Sequence, residues 1–238
     1  MFSTYERNEF LELPVTCPAC KTEFVTLQVK SNLLRPVKRH TDFHVEYAGP
    51  SPIHYVVVVC PECYYASYRS DFDELYGSAN QRIQATAAKR KEKFGSYNFI
   101  DVRDYDTVQS SYELALHCYL LRKKTRYGLR AALYLHMAWL AREVGMNDRE
   151  TYYIRRALEN YRNSFLKDHS DNLKDEVKQT YLAGELALRL ERYKEAIGWF
   201  EKTIHHPHVK EFPGLEQQTR DRWSIAREDA AKRPGYKD

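Results

Sequence analysis

The stretch YLAGELALRLERYKEAIGWFEKTI, residues 181–204, decides the fold. It reads as two helical segments joined by a very short linker. The first belongs to a helix from about Asn172 to Leu190. The second runs from about Lys194 to Ile204 and is stopped by Pro207. A proline cannot continue a helix, and short linkers between helices favour antiparallel neighbours.

Helical texture extends in both directions. Upstream, the pattern predicts helices over about Asp73–Phe94, Asp106–Lys124, Gly128–Val144 and Asp148–Leu166. Loop Gly95-Ser-Tyr-Asn98 ends the first, and Gly145 stops the third. In the second, Tyr112, Ala115, Leu116, Tyr119 and Leu120 recur at helical spacing. Asp148 is the expected N-cap of the fourth. Downstream, a last helix covers Leu215–Lys232. Cys118 lies among apolar neighbours on one of these helices and reads as a core thiol.

The quoted stretch resembles the tetratricopeptide repeat. In that motif Gly184 holds the small position where two helices approach closely, and Tyr193 stands at the turn. Ala196 and Phe200 fall on the packing face of the second helix. A weaker copy precedes it, with Ala138 at the small position, Gly145 at the turn, and Tyr153 and Ala157 on the second helix. The spacing is longer than the usual 34 residues, so the repeats are degenerate. Stacked repeats bury faces that no single pair can bury and leave a concave surface. By position, the resemblance places Trp139, Arg142, Lys178, Tyr181, Glu185 and Arg189 on that surface. Tyr, Trp and Arg are the residue types enriched at binding hot spots. Packing between helices is the other role open to Trp139.

Residues 1–75 have a different texture. They hold six of the nine prolines, and strands are expected over Lys21–Val29 and Tyr55–Val59. They also carry seven Lys and Arg against ten Asp and Glu, whereas residues 76–238 carry 30 against 23. The expected division is therefore a β module over 1–75 and a helical domain over 76–238. The fold class is α+β, predominantly α. The net charge of +4 falls short of a dedicated nucleic-acid binder's footprint.

The β module contains two Cys-Pro-x-Cys knuckles, Cys17/Cys20 and Cys60/Cys63. A two-residue spacer lets both thiolates of a knuckle face one ion, and Pro18 and Pro61 pre-set a turn dihedral. Four thiolates around Zn2+ form a closed, structural site. The 39 residues between the knuckles exceed the usual separation, so an inserted hairpin or loop must fill the gap. A redox dithiol is the competing reading, but both knuckles sit beside strands rather than at a helix N-terminus. Met1–Pro14 lacks the pattern of a secretory signal, and no apolar run nears the roughly 18 residues that span a bilayer. A reducing, cytoplasmic setting is expected, in which cysteine pairs favour metal over disulfide.

Other constellations carry less. His40, Asp42 and His44 alternate as on one side of a strand, which suits a second metal site, an acid–base site, or an ordinary polar strand face. His205, His206 and His208 sit at a helix C-terminus, where histidines complement the dipole. Lys89, Arg90, Lys91 and Lys93 form one basic cluster, and Arg122, Lys123, Lys124 and Arg126 another; either could meet phosphates. No phosphate-cradling glycine loop, HExxH or GxSxG occurs, and no nucleophile–base set is readable, so no enzyme is expected.

Taken together, CPAC at 17–20, the charged segment from Lys38 to Tyr47, Pro52 with Tyr55, CPEC at 60–63 followed by Tyr65-Ala66, and Ala138-Trp-Leu-Ala-Arg-Glu143 before Gly145 resemble a bacterial family of uncharacterised cytoplasmic proteins. Tyr64 stands where glycine is common in that family. The resemblance implies an N-terminal zinc-ribbon-like segment followed by tetratricopeptide-like helices, and no activity. The expected function is an interaction scaffold binding a protein or peptide. The alternative is nucleic-acid or ribonucleoprotein binding through the zinc module and the basic clusters.

Overall fold

The computed structural model describes residues 5–122, 126–168 and 173–233. Lys123, Lys124 and Asn172, which figured in the expected helix ends and the second basic cluster, lie outside them. The fold is α+β and mainly α: six short strands in three antiparallel pairs, followed by eight helices among the described residues.

The strands are β1 (Phe10–Thr16), β2 (Glu23–Val29), β3 (Pro36–Arg39), β4 (Val45–Tyr47), β5 (Val57–Val59) and β6 (Ala66–Tyr68). They pair β1–β2, β3–β4 and β5–β6, so the long gap between the knuckles does hold a hairpin. The expected strand at Tyr55 starts later, because Pro52–Tyr55 forms a 3-10 turn first. All three residues of β5 are buried, as the run of valines requires. Strand β1 packs with β2 through Phe10, Leu27 and Val29 around Tyr55.

The helices are α1 (Gly77–Ala85), α2 (Ala87–Phe94), α3 (Tyr105–Leu120), α4 (Tyr127–Glu143), α5 (Asn147–Lys167), α6 (Leu173–Arg189), α7 (Tyr193–Ile204) and α8 (Pro213–Ala231). The single helix expected over Asp73–Phe94 is two. The Thr86 hydroxyl donates back to the carbonyls of Arg82 and Ile83, at 2.8 and 3.3 Å. Arg90 also takes the Ile83 carbonyl, which a continuous helix would give to the backbone of Ala87. Asp148 does not cap α5; that helix begins one residue earlier, after Met146.

The chain forms two compact units. One comprises Met1–Arg39 with Val45–Thr125, and the other His40–His44 with Arg126–Asp238. The expected boundary after residue 75 falls inside the first, because α3 packs on β5 and β6. Cys118 of α3 is fully buried there, and burial raises its thiol pKa.

In the second unit α4 packs on α5, α5 on α6, α6 on α7, and α7 on α8. Helices α4 and α6 end alike. Gly145 and Glu191 both adopt left-handed backbone, at φ +74° and +58°. In each case the next amide returns to a carbonyl five residues back, Met146 to Ala141 at 2.8 Å and Arg192 to Ala187 at 2.9 Å. This cap satisfies orphan carbonyls and turns the chain into the next helix. Gly184 permits the close approach of α6 and α7: a Cβ there would lie 2.6 Å from the Phe200 ring. Gly184→Ala should therefore destabilise the protein by about 1–3 kcal/mol through overpacking. A urea midpoint equal to that of the parent would refute the close packing.

Candidate metal centre

Each knuckle is a tight turn with the same backbone bonding. Cys17 donates its amide to Thr22 O and Lys21 donates to Cys17 O, both at 2.9 Å. Cys60 donates to Tyr65 O at 2.9 Å, and Tyr64 donates to Cys60 O at 3.0 Å. The residue after each second cysteine is left-handed: Lys21 at φ +67° and Tyr64 at φ +54°. That backbone region is one that glycine enters without strain. Tyr64 compensates by packing its ring edge-on against Phe99, with centroids 6.2 Å apart.

These turns converge. The sulfurs of Cys17 and Cys63 are 3.6 Å apart, and those of Cys20 and Cys60 are 3.5 Å apart. All four lie within 4.8 Å of one another, and no disulfide joins them. A tetrahedral ion with bonds of about 2.3 Å needs sulfurs roughly 3.8 Å apart, so the donor set fits a metal. Three of the four cysteines are buried. Hydrogen bonding from Cys17 holds Cys60 low as the thiolate, to about 2, and the same contact raises Cys17 to about 12. Cys63 is raised as well, by its hydrogen bonds to Cys17 and Cys60. Four thiolates cannot share so small a space without a cation. The Thr22 hydroxyl, 3.2 Å from the Cys20 sulfur, supplies a polar contact beside the cluster.

Residues far from the knuckles in sequence support them, and no local pattern marks those residues. Arg90, read as part of a basic cluster, is only 2% exposed. It donates to the carbonyls of Cys63 at 2.8 Å and Tyr64 at 3.0 Å. Arg122, of the second cluster, is also turned inward. It bonds Asp71 Oδ2 at 3.3 Å, Tyr65 Oη at 2.6 Å and Ser67 Oγ at 3.0 Å.

The second unit brings together most of the residues expected on the groove. Its segment His40–His44 lies against them. Asp42 is 0% exposed, and its carboxylate accepts from Trp139 Nε1 at 3.1 Å and from Arg142 at 2.7 and 3.3 Å. Arg189 stands 3.4 Å from the same carboxylate. The Thr41 carbonyl accepts from Tyr181 at 2.7 Å and from Gln218 at 3.1 Å. The Thr41 hydroxyl donates to Glu185, which Arg222 also holds at 2.7 Å. Phe43 stacks on Tyr181 with centroids 5.2 Å apart, and His44 stacks on Trp139 at 5.3 Å. Lys178 is not part of this arrangement; its ammonium lies over the Phe212 ring at 5.5 Å.

His40, Asp42 and His44 are accordingly not the face of a strand. They lie in the turn between β3 and β4, where Phe43 is left-handed at φ +71°. The two imidazoles stack at 5.2 Å, and the carboxylate is taken by Trp139 and Arg142. Among the described residues, the four cysteines are the group whose His, Cys, Asp and Glu side chains converge for a metal ion. His205 and His208 bond instead to the Glu201 carbonyl and Glu211, and His206 stands 3.7 Å from Glu176.

Burial works against the Asp42 charge. The hydrogen bond from Arg142, with the charges of Arg189 and Arg142, outweighs burial and holds the carboxyl below its usual range. Burial, reinforced by His44, pulls His136 down to about 4. Both groups therefore bind protons more weakly in the folded state. The His136 contribution is complete above about pH 6.5 and is lost as pH falls toward 4. The Asp42 contribution is complete above about pH 4 and is lost below it. Unfolding free energy should thus fall in two stages on acidification, read from urea titrations at stepped pH. Asp42→Asn should cost about 1–3 kcal/mol at pH 7, because it removes the buried carboxylate that accepts from Trp139 and Arg142, while Arg142 keeps Glu150 and Arg189 keeps Glu185. It should also diminish the lower stage. Lys21→Gly should raise stability by roughly 1 kcal/mol, since Lys21 is exposed and its backbone is left-handed. An unchanged or lower denaturation midpoint for Lys21→Gly would count against that strain.

No helix among the described residues is long and apolar enough to cross a membrane. The model of a family described as an uncharacterized protein conserved in bacteria (DUF2225) matches residues 10–226, so the chain belongs to that family. No curated protein and no solved structure matches the chain.

Proposed function

We propose that this member of a bacterial family is a zinc-stabilised interaction protein. In this reading the four cysteines hold a structural Zn2+, and the tetratricopeptide-like helices α4 to α8 bind a protein or peptide partner. Donor chemistry supports zinc as the metal. Four soft thiolates at tetrahedral spacing suit zinc, and a closed shell of four leaves no position for substrate. The protein is therefore read as a binder rather than an enzyme, working in a reducing, cytoplasmic compartment that keeps its cysteines from forming disulfides.

One observation carries the partner reading. Five of the six positions expected on the groove, Trp139, Arg142, Tyr181, Glu185 and Arg189, hold a peptide, namely the chain's own Thr41–His44. The contacts are of the peptide-recognition kind. A carboxylate sits between two guanidinium groups, an aromatic ring lies on a tyrosine, and side chains reach a backbone carbonyl. A partner with an acidic residue next to an aromatic one matches that chemistry. Nucleic-acid binding draws less support, because Arg90 and Arg122, one from each basic cluster, are committed inside the protein.

Two experiments test this. Metal analysis of the purified protein should find about one zinc per chain, and chelation should lower the melting temperature. Metal-free protein of unchanged stability would end the structural-zinc reading. A photo-crosslinking residue at Phe43, which is 37% exposed, should capture a discrete protein from a bacterial lysate. An excess of a synthetic peptide with the sequence of residues 38–46 should suppress that capture. Capture no greater than from a crosslinker placed at Tyr152 on α5 would overturn the groove as the partner site.

A further inference from the structure

Arg90 is a buried cation with no carboxylate partner among the described residues. Its donors are spent on neutral acceptors. Nη2 bonds the carbonyls of Cys63 and Ile83 at 2.8 Å each, Nε bonds Tyr64 O at 3.0 Å, and Nη1 bonds the Thr86 hydroxyl at 2.6 Å. Carbonyls alone do hold one other buried guanidinium in this unit. Arg103 bonds the carbonyls of Phe99, His54 and Val57. Arg90 differs in its neighbours. Two of its acceptors are the carbonyls of a cysteine of the four-sulfur cluster and of the left-handed residue that closes that cysteine's turn.

Charge gives this placement a meaning. Four thiolates around a divalent cation carry two net negative charges. Such a cluster, largely buried, is costly unless a positive charge lies close by. Lys91 on the same helix is exposed and turned to Glu62 at 3.3 Å, and Lys21 is exposed. Among the described residues, Arg90 is the buried cation bonded directly to a knuckle.

We infer that Arg90 is the positioning and charge-compensating residue of the metal centre: its guanidinium balances the loaded four-thiolate cluster and locks the Cys60–Cys63 turn in its ligating shape. The inference rests on the metal reading above. Arg90 also accounts for the break between α1 and α2. Its guanidinium takes the Ile83 carbonyl and the Thr86 hydroxyl at that break while it holds the knuckle. The break thus brings the guanidinium to the metal turn.

The test is a thermodynamic cycle on the full chain with Arg90→Lys and Arg90→Met. Zinc affinity is read by competition with a chromophoric chelator, and unfolding is measured with and without metal. Cobalt substitution reports the thiolate shell through its sulfur-to-cobalt charge-transfer bands. Arg90→Met should weaken zinc binding about 10- to 100-fold, the usual effect of losing an outer-sphere partner. Arg90→Lys should recover part of that loss, because it keeps the charge and loses the fork. Arg90→Met should also destabilise the loaded protein more than the metal-free one. Equal destabilisation in both states, with unchanged zinc affinity, would make Arg90 a packing residue and overturn the inference. Should Arg90→Met fail to fold, Arg90→Lys with parental affinity and parental cobalt bands would overturn it equally. Failure of the metal reading has a different signature, namely no charge-transfer bands in the parent protein.

Discussion

Four sulfurs drawn from positions 17, 20, 60 and 63 lie within 4.8 Å of one another, and much of the first unit follows from that requirement. Each pair must be presented by a turn in which the residue after the second cysteine goes left-handed. Each turn must be anchored by strands, which β1–β2 and β5–β6 provide. The strands are too short to bury much surface by themselves. Helix α3 covers β5 and β6, and α2 sends Arg90 into the second turn. The order of dependence runs from the sulfurs outward: the spacing of the four sulfurs sets the turns, the turns set the strands, and the helices seal what the strands leave open.

Periodicity and ligand spacing made much of this legible in the sequence. Helices α3 to α8 fell within a few residues of their expected limits, because amphipathic spacing and Gly or Pro stops are local signals. The cysteine pairs were legible because two Cys-Pro-x-Cys turns in one chain suit metal ligation far better than any other thiol chemistry. What stayed hidden depended on tertiary partners. Nothing local marks Thr86 as a break, since it takes Arg90 and the Ile83 carbonyl together to make one. Nothing in the run Lys89-Arg-Lys91 tells a buried guanidinium from an exposed one. Period-two spacing of His40, Asp42 and His44 suggested a strand face, but a left-handed Phe43 turns the segment, and the strands stop on either side of it.

The second unit shows how a charged peptide can be held by helices without exposing the charge. Asp42 and Glu185 are both 0% exposed, and each is met by arginines: Arg142 and Arg189 for the first, Arg189 and Arg222 for the second. Buried ion pairs of this sort add little net stability compared with apolar packing, but they penalise any mismatch heavily. Such a network specifies one register of the segment against the helices. The repeated cap after α4 and α6 supports it by setting the direction in which each following helix leaves.

The five residues His40–His44 are made long before the helices that hold them. About a hundred residues separate Asp42 from Arg142, and more separate Thr41 from Arg189. At roughly 5–20 residues per second, the ribosome takes at least about 5–20 s to supply the first of those arginines. During that interval the carboxylate stays in water, and the second unit cannot close. Synthesis order therefore makes the first unit, whose cluster cysteines are all in place by residue 63, the natural candidate to fold while the rest of the chain is still being made.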